Sequence, residues 1–310
     1  MERILRHLLT APLDAAEVRD VASWWRRHGE GATGFATPID RAMAAALTMD
    51  RVGWAFASGY QEALRRLVPG LPDGAKAALC ATEEGGNHPR AIEARLSAAD
   101  GGFTLSGDKK FTTLGPQADL LLVVASEGED AGGRKRLALV QVPAGRDGVR
   151  VETMSELPFV PEVPHGVTHF ADVRLAKDER LPGDGYGDYL KPFRTIEDVH
   201  VHAAVLAWML GVGRRFGWPE PLLARLVACL AAARALAAAS PVDEAVHVAV
   251  AGLLAQGAAV IEQAEPHWKS ADAAVASRWS RDRALLGVAA KARHKRVENA
   301  WRRLSEPYPE

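Results

Sequence analysis

The sequence has little cysteine and no excess of charge of one sign. The 310 residues include two cysteines, Cys80 and Cys229, and both lie in apolar runs. Two such residues cannot form a disulfide framework, so we expect buried, inert thiols in a reducing compartment. Lys and Arg number 38 against 39 Asp and Glu, which gives a formal net charge of −1. No global field therefore draws the chain toward nucleic acid or an anionic membrane.

Long uncharged apolar runs are also missing. The longest apolar segment, 222–239, is interrupted by Arg225 and Arg234. A membrane span needs roughly 18 or more apolar residues, so alanine-rich buried helices explain this segment better. The first ten residues carry charges within their apolar run and lack a small-residue cleavage site, unlike a secretory signal. These features predict a cytoplasmic protein that does not enter the membrane.

The apolar periodicity changes twice along the chain. It is helical over 1–74, alternates with period 2 over 75–178, and is helical again over 179–310. This order predicts an α+β multidomain protein with an N-terminal helical domain, a central small β-barrel or sandwich and a C-terminal four-helix bundle. The predicted bundle helices are 192–216, 219–239, 242–264 and 270–304. The predicted strands are Ala91–Leu96, Phe103–Leu105, Leu120–Val124, Leu137–Val142, Val149–Val151 and Val167–Phe170.

Three short blocks occur in a fixed order in and after the β zone. Residues 82–89 read Thr-Glu-Glu-Gly-Gly-Asn-His-Pro, and residues 107–114 read Gly-Asp-Lys-Lys-Phe-Thr-Thr-Leu, with Ala-Asp at 118–119. The third block, Leu-Pro-Gly-Asp-Gly-Tyr-Gly, lies at 181–187. Together they resemble the acyl-CoA dehydrogenase family, whose middle domain has a Thr-Glu-Pro loop and then Gly-x-Lys-x-Trp-Ile-Thr-Asn. The resemblance spans roughly 52–215 and agrees with the independent helix–barrel–bundle prediction.

The resemblance implies an FAD-dependent oxidoreductase that acts on the CH–CH group of an acyl thioester. By resemblance, Thr113 is the hydroxyl that meets the flavin N5 region, and Phe111 stands where the family usually has tryptophan against the ring. Thr82 and its backbone correspond to the residues at the pyrimidine side of the flavin. The alternative is that Phe111 and Thr113 are ordinary alternating residues of a strand.

The sequence departs from the family pattern at residues that handle substrate. The family loop continues with Gly-Ser-Asp, whereas this chain has Asn and then His88, which is either a substrate contact or an exposed loop histidine. No Tyr-Glu-Gly-Thr loop is present to supply the usual catalytic base. In the isovaleryl-type branch the base lies on the first long bundle helix, where Glu197 aligns. An alignment anchored on Gly211 instead places Val201 there.

Other interpretations of the same helices remain open. Glu197 and Asp198 are also consistent with first-turn acids that complement the helix dipole, and Asp198 replaces a family arginine. His200 and His202 lie two residues apart on a helix and therefore point to different faces, so we predict no metal site.

The resemblance also implies an acyl-CoA or related thioester as substrate and a homodimer or homotetramer. A rival hypothesis is a catalytically degenerate scaffold or partner subunit of this family. A further alternative is a DNA-binding member that uses the basic C-terminal helix, although a solvated face opposite an apolar stripe is the ordinary explanation for such a helix. The basic residues concerned are Arg278, Arg281, Arg283, Lys291, Arg293, Lys295, Arg296, Arg302 and Arg303.

Overall fold

A computed structural model describes residues 1–13 and 16–306 of the chain. The chain divides into two compact units, one helical and one built on a sheet. The helical unit combines Met1–Arg66, Leu157–Glu162 and the chain from Thr195 onward, so both helical zones of the sequence belong to it. The β unit consists of Leu67–Glu156 and Val163–Arg194. The α+β class predicted from the periodicity is confirmed, and the division into three domains stays a prediction.

The N-terminal helices are stabilised by side-chain caps at their ends and by packing between tryptophan rings. The carboxylate of Asp20 accepts a hydrogen bond from the Ser23 backbone N–H at 2.7 Å, which satisfies a free donor at a helix start. Trp24 stacks on Trp54 with ring centroids 5.8 Å apart, and both rings are buried. This pair forms the centre of the N-terminal core. The helices are α1 (Glu2–Thr10), α2 (Val21–Ala32), α3 (Pro38–Ala46) and α4 (Val52–Leu67).

The C-terminal helices pack around a second tryptophan cluster. Trp208 and Trp268 lie 5.7 and 5.0 Å from Trp279 between ring centroids. Gly211 allows the helix that carries it to approach the backbone oxygen of Leu47 so closely that a Cβ atom there would lie 2.1 Å from it. The helices are α5 (Lys191–Arg215), α6 (Glu220–Ala237), α7 (Glu244–Ala264), α8 (Ala273–Asp282) and α9 (Ala290–Leu304).

The predicted continuous helix 270–304 is divided in the structure. Helix α8 ends at Asp282, and a 3-10 turn over Arg283–Gly287 precedes α9. The fully buried carboxylate of Asp282 accepts a hydrogen bond from the Val160 backbone N–H at 2.7 Å and pairs with Arg281 at 2.6 Å. This long-range anchor fixes the end of α8, and a periodic sequence pattern does not report it.

The described residues include seven strands: β1 (Ala77–Cys80), β2 (Arg95–Ala99), β3 (Gly102–Thr113), β4 (Leu120–Glu129), β5 (Lys135–Pro143), β6 (Val149–Thr153) and β7 (His165–Ala176). They form one sheet in the order β1-β4-β2-β3-β7-β6, with β5 paired to β4. The pairs β1–β4 and β2–β4 are parallel, and the other pairs are antiparallel. Alternating apolar residues from these strands bury one core, which includes Leu105, Val123 and Val140.

The helical stretch Glu244–Ser270 is long and apolar enough, by length and composition alone, to cross a membrane. The core helices of soluble proteins meet the same criterion. The charged Glu262 and the polar Gln263 interrupt the apolar surface of its exposed face near the C-terminal end. This single stretch among the described residues is weak evidence for a membrane span.

Candidate functional site

A buried ion pair fixes the loop that follows β1. The carboxylate of Glu83 lies 2.6 Å from Nζ of Lys109, whose side chain is fully buried. It also accepts hydrogen bonds from the backbone N–H groups of Glu93 and Ala94 at 2.6 and 3.1 Å. Burial lowers the pKa of Lys109, and Glu83 opposes that effect. The loop is therefore held firmly against β3 by a charge pair with additional hydrogen bonds.

Sequence reasoning missed this pair, although both partners lie in the quoted motifs. Glu83 follows the loop threonine, and Lys109 occupies the lysine position of the Gly-x-Lys block. A lysine in a strand reads as a solvent-facing residue, because buried lysine is rare unless it is paired. The opposite charges of Glu83 in the loop and Lys109 in the strand were the signal that could have indicated the contact.

The same loop brings Thr82 beside the end of β3. The backbone N–H of Lys110 donates a hydrogen bond to the carbonyl oxygen of Thr82 at 2.7 Å, and the side chain of Lys110 pairs with Glu84. Thr82 is partly buried and lies next to the buried Glu83. Thr82 thus adjoins the segment that carries Phe111 and Thr113, and the three predicted cofactor residues lie along one stretch of the β unit.

The backbone around Phe111 is strained. Phe111 and Leu114 have φ values of 54° and 60°, a left-handed conformation that costs a residue with a side chain roughly 1–2 kcal/mol. The register between β3 and β7 shifts between Lys109 and Thr112. As a result Thr112 is buried, while the Phe111 ring is 53% exposed. Retained strain next to an exposed aromatic ring is typical of a ligand site.

Thr113 has a partner that the sequence did not suggest. It stands opposite His165 in the β3–β7 pairing, and its Oγ1 lies 3.2 Å from Nε2 of that histidine. Nδ1 of His165 lies 3.0 Å from the carbonyl oxygen of Val163. Burial lowers the pKa of His165. A contact between residues 52 positions apart depends on strand register, which the sequence pattern alone does not give.

His88, the predicted substrate contact, is exposed in the structure. Its Nδ1 accepts a hydrogen bond from the backbone N–H of Arg90 at 3.2 Å and so caps the short 3-10 turn Pro89–Ala91. Asn87 beside it accepts from Arg194 at 3.4 Å. This arrangement gives His88 a structural contact, and its contact with substrate stays a prediction.

Glu197, the predicted base, lies on α5 in the helical unit. It is the seventh residue of that helix, and the first turn of α5 contains no acidic residue. The interpretation of Glu197 and Asp198 as first-turn acids is therefore wrong. Burial and the adjacent charge of Asp198 raise the pKa of Glu197 to about 7, although Arg293 opposes the shift. Among the described residues, none forms a hydrogen bond with its carboxylate.

Asp198 is held by the last helix. Its carboxylate lies 2.7 Å from Nε of Arg293 and also pairs with Arg296. Two of the nine basic residues named in the sequence analysis, Arg293 and Arg296, are thus paired with a buried carboxylate. Four more of the nine, all arginines, have acidic partners. The remaining cations are Lys291, Lys295 and Arg302, which form no ion pair with a described acid. The surface charge available for a nucleic acid is therefore much smaller than the sequence suggests. The four further paired arginines are Arg278, Arg281, Arg283 and Arg303.

The two histidines of α5 are buried and separate. Nδ1 of His200 lies 2.8 Å from the Ile196 carbonyl oxygen, and Nε2 of His200 and of His202 has no hydrogen-bond partner within the described chain. Burial lowers the pKa of each to about 4. Within residues 1–13 and 16–306, no group of three or more His, Cys, Asp and Glu side chains is placed to hold a metal ion.

Comparison with known sequences gives matches centred on the β unit. Residues 78–173 match the family model for the acyl-CoA dehydrogenase middle domain. Probable acyl-CoA dehydrogenase FadE10 of Mycobacterium tuberculosis is 32% identical over 133 residues, which cover 42% of this chain and 20% of that protein. Acyl-[acyl-carrier-protein] dehydrogenase MbtN of Mycolicibacterium paratuberculosis is 35% identical over 80 residues, or 24% and 21% of the two chains. The matches thus span about a fifth of the length of these curated relatives.

Comparison with solved structures covers nearly the whole chain. A putative acyl-CoA dehydrogenase from Mycobacterium smegmatis matches with a TM-score of 0.68 and 16% identity over 97% of this chain and 96% of that one. PigA with FAD and proline matches with a TM-score of 0.65 and 14% identity over 98% and 96%. Butyryl-CoA dehydrogenase from Megasphaera elsdenii gives 0.65 and 15% over 92% and 90%. At these identities the likeness concerns the fold.

Proposed function

The chain belongs to the acyl-CoA dehydrogenase family, and we propose that it is a flavin-dependent oxidoreductase whose β unit binds FAD along Phe111–Thr113. One observation supports this most: the left-handed backbone at Phe111, which keeps an aromatic ring exposed beside Thr82 and Thr113. Without a ligand to contact, neither the strain nor the exposure of a large apolar ring benefits the protein.

The residues fit the proposed cofactor. Phe111 offers an apolar aromatic face for a flat ring system, and Thr113 offers a hydroxyl at the end of the same strand. Thr82 offers a hydroxyl and a backbone N–H on a loop fixed by the buried Glu83–Lys109 pair. Bound FAD supplies the two-electron acceptor that no ordinary side chain provides. The ion pair beneath the loop keeps these contacts in place before the cofactor arrives.

We assign the role of general base to Glu197, with an acyl-CoA or related thioester as the substrate. A base works best when its pKa lies near the working pH, and the pKa of Glu197 is raised to about 7. Its carboxylate oxygens can therefore accept a proton at neutral pH. Asp198 binds Arg293 and Arg296, so those arginines are engaged beside Glu197 and do not form an ion pair with it.

A catalytically degenerate scaffold or partner subunit is the second candidate function. The observation in its favour is Asp198, which stands where the resemblance places an arginine and is itself bound to two arginines. That exchange removes a cation which could contact an anionic substrate. Under this function the β unit either still binds FAD or only retains the fold of the family. Glu197 then takes part in no reaction.

We further propose a cytoplasmic homodimer or homotetramer that associates through α6 and α7. Both helices expose alanine to solvent, and small side chains let helices from two protomers approach closely. A charged residue at Ala228 or Ala249 then separates the protomers, which light scattering after size-exclusion chromatography measures. An unchanged mass for both Ala228→Arg and Ala249→Arg contradicts this interface. The exposed alanines are Ala224, Ala228, Ala235, Ala245, Ala249, Ala255, Ala258 and Ala259.

The visible spectrum of the purified protein tests cofactor binding. We expect bound FAD, or yellow colour after refolding with FAD, and weaker FAD binding in Phe111→Ala. Trp301→Ala is the matched control, because Trp301 is a similarly exposed aromatic residue, 56% accessible, on α9. A protein that stays colourless, or equal FAD affinity in both variants, contradicts the proposed site.

Anaerobic addition of acyl-CoA separates the two candidate functions. An active enzyme bleaches its flavin when it oxidises the thioester, and Glu197→Gln loses that bleaching while it retains the flavin. A scaffold retains its colour with acyl-CoA in both forms. Bleaching that persists in Glu197→Gln removes the base assignment and leaves the oxidoreductase function.

A further inference from the structure

The hydrogen bonds of His165 determine which ring nitrogen carries its proton. Nδ1 lies 3.0 Å from the carbonyl oxygen of Val163, and a carbonyl oxygen can only accept. Nδ1 must therefore be the N–H donor. Burial lowers the pKa of the ring, which keeps the histidine neutral near pH 7. In a neutral imidazole with Nδ1 protonated, Nε2 has a lone pair and accepts.

This tautomer fixes the direction of the Thr113 hydroxyl. Oγ1 of Thr113 lies 3.2 Å from Nε2 of His165, and Nε2 can only accept, so the hydroxyl donates to it. A hydroxyl has a single proton. Once that proton points at His165, Thr113 presents only lone pairs to any other group that approaches Oγ1.

We propose that His165 is a positioning residue that turns the Thr113 hydroxyl into a hydrogen-bond acceptor toward flavin N5. The inference rests on the proposed function, since it takes Thr113 as the hydroxyl at N5. Reduction of the flavin adds two electrons and places a proton on N5, which converts N5 from an acceptor into an N–H donor. An accepting hydroxyl therefore matches the reduced flavin and not the oxidised one. His165 thus favours the reduced state and raises the midpoint potential.

The expected effect is that of one hydrogen bond gained in the reduced state. Loss of His165 lets the Thr113 hydroxyl rotate and donate to oxidised N5, which reverses the preference. We expect the ratio of reduced to oxidised flavin at a fixed potential to fall about tenfold. For a two-electron couple a tenfold change corresponds to about 30 mV.

The test is a double-mutant cycle on the midpoint potential of the FAD-loaded protein. Slow reduction by xanthine and xanthine oxidase against a reference dye gives the potentials of wild type, His165→Phe, Thr113→Val and the double variant. We expect His165→Phe to lower the potential and to have no further effect in the Thr113→Val background. His169→Phe is the control, because His169 lies on the same strand and pairs with Asp108 instead.

Equal effects of His165→Phe in both backgrounds overturn the inference, since a general structural change acts without Thr113. An unchanged potential in a flavin-loaded His165→Phe overturns it as well and leaves the proposed function standing. Failure to bind FAD removes the proposed function and the inference together.

A second measurement needs no flavin. In the flavin-free protein, nitrogen-15 spectra of the His165 ring must show protonated Nδ1 and unprotonated Nε2, and Thr113→Val must shift the Nε2 resonance. The opposite tautomer overturns the inference even if the potentials change.

Discussion

The carboxyl group of Glu197 makes the stability of this protein depend on pH in an unusual direction. In the unfolded chain it ionises near pH 4.5, whereas burial and the charge of Asp198 raise its pKa to about 7 in the folded protein. Between these values the folded protein holds a proton that the unfolded chain has lost. The free energy of unfolding therefore falls as the pH rises from about 4.5 through about 7. Glu197→Gln removes the titrating carboxyl group, so this contribution to the fall in the free energy of unfolding disappears.

The magnitude follows from the size of the shift. Each pKa unit corresponds to about 1.4 kcal/mol, so a rise from 4.5 to about 7 sets an upper bound of about 3.5 kcal/mol. The Glu197 side chain retains some contact with water, which screens its charge, and we expect about 1–2 kcal/mol. Glu197→Gln is then more stable than wild type by that amount at pH 8 and equal to it at pH 4.5.

Urea unfolding followed by circular dichroism at several pH values between 4.5 and 8 measures this difference. Glu262→Gln is the matched control, because Glu262 is an exposed carboxylate on α7 and its replacement should alter stability little at any pH. The same stability difference between Glu197→Gln and wild type at pH 4.5 and at pH 8 refutes the reasoning. That result means that the carboxyl ionises alike in the folded and unfolded chains.

Two further pairs of variants test the packing described above. Glu83→Gln leaves Lys109 buried without its counter-charge and should destabilise the protein by about 3–5 kcal/mol, whereas Glu84→Gln removes only a surface pair and should change the urea midpoint little. Gly211→Ala forces a Cβ against backbone and should cost about 1–3 kcal/mol in thermal or urea unfolding. Gly29→Ala, in an open position of α2, should instead stabilise by about 0.5–1 kcal/mol. Equal effects within either pair contradict the corresponding contact.

The fold was predictable where the signal is local. The change of period near residue 75 and the breakers around it separate helix from sheet without any knowledge of distant contacts. Strand β1 escaped prediction because Ala77–Cys80 is largely buried, with Leu79 partly exposed, and reads as a continuous apolar run. Strand β3 was predicted to end at Leu105 because Ser106-Gly107-Asp108 has the composition of a turn. In the structure the strand continues through these residues to Thr113, with a shift of register between Leu105 and Gly107.

The candidate site likewise contains residues that local motifs indicate and contacts that only the folded sheet creates. The motifs give Thr82, Phe111 and Thr113 as candidates, because a loop and a strand adjacent to it carry them, and their role at a flavin stays a prediction. The motifs could not give the partner of Thr113, since the register of β3 against β7 contains two shifts and only the folded sheet brings His165 opposite. The end of α8 at Asp282 likewise depends on a bond to Val160, 122 positions away.

The discontinuity of the helical unit affects how the protein is made. Its first segment ends at Arg66 and its main remaining segment begins at Thr195, so about 130 residues are synthesised between them. At roughly 5–20 residues per second that interval lasts on the order of 6–26 s. During it the nascent helices around Trp24 and Trp54 lack the later half of their core, whereas the β unit is nearly continuous and can close first. The N-terminal segment of the helical unit thus leaves the ribosome before the β unit but completes its core after it, and a chaperone that binds apolar helices should find its target there.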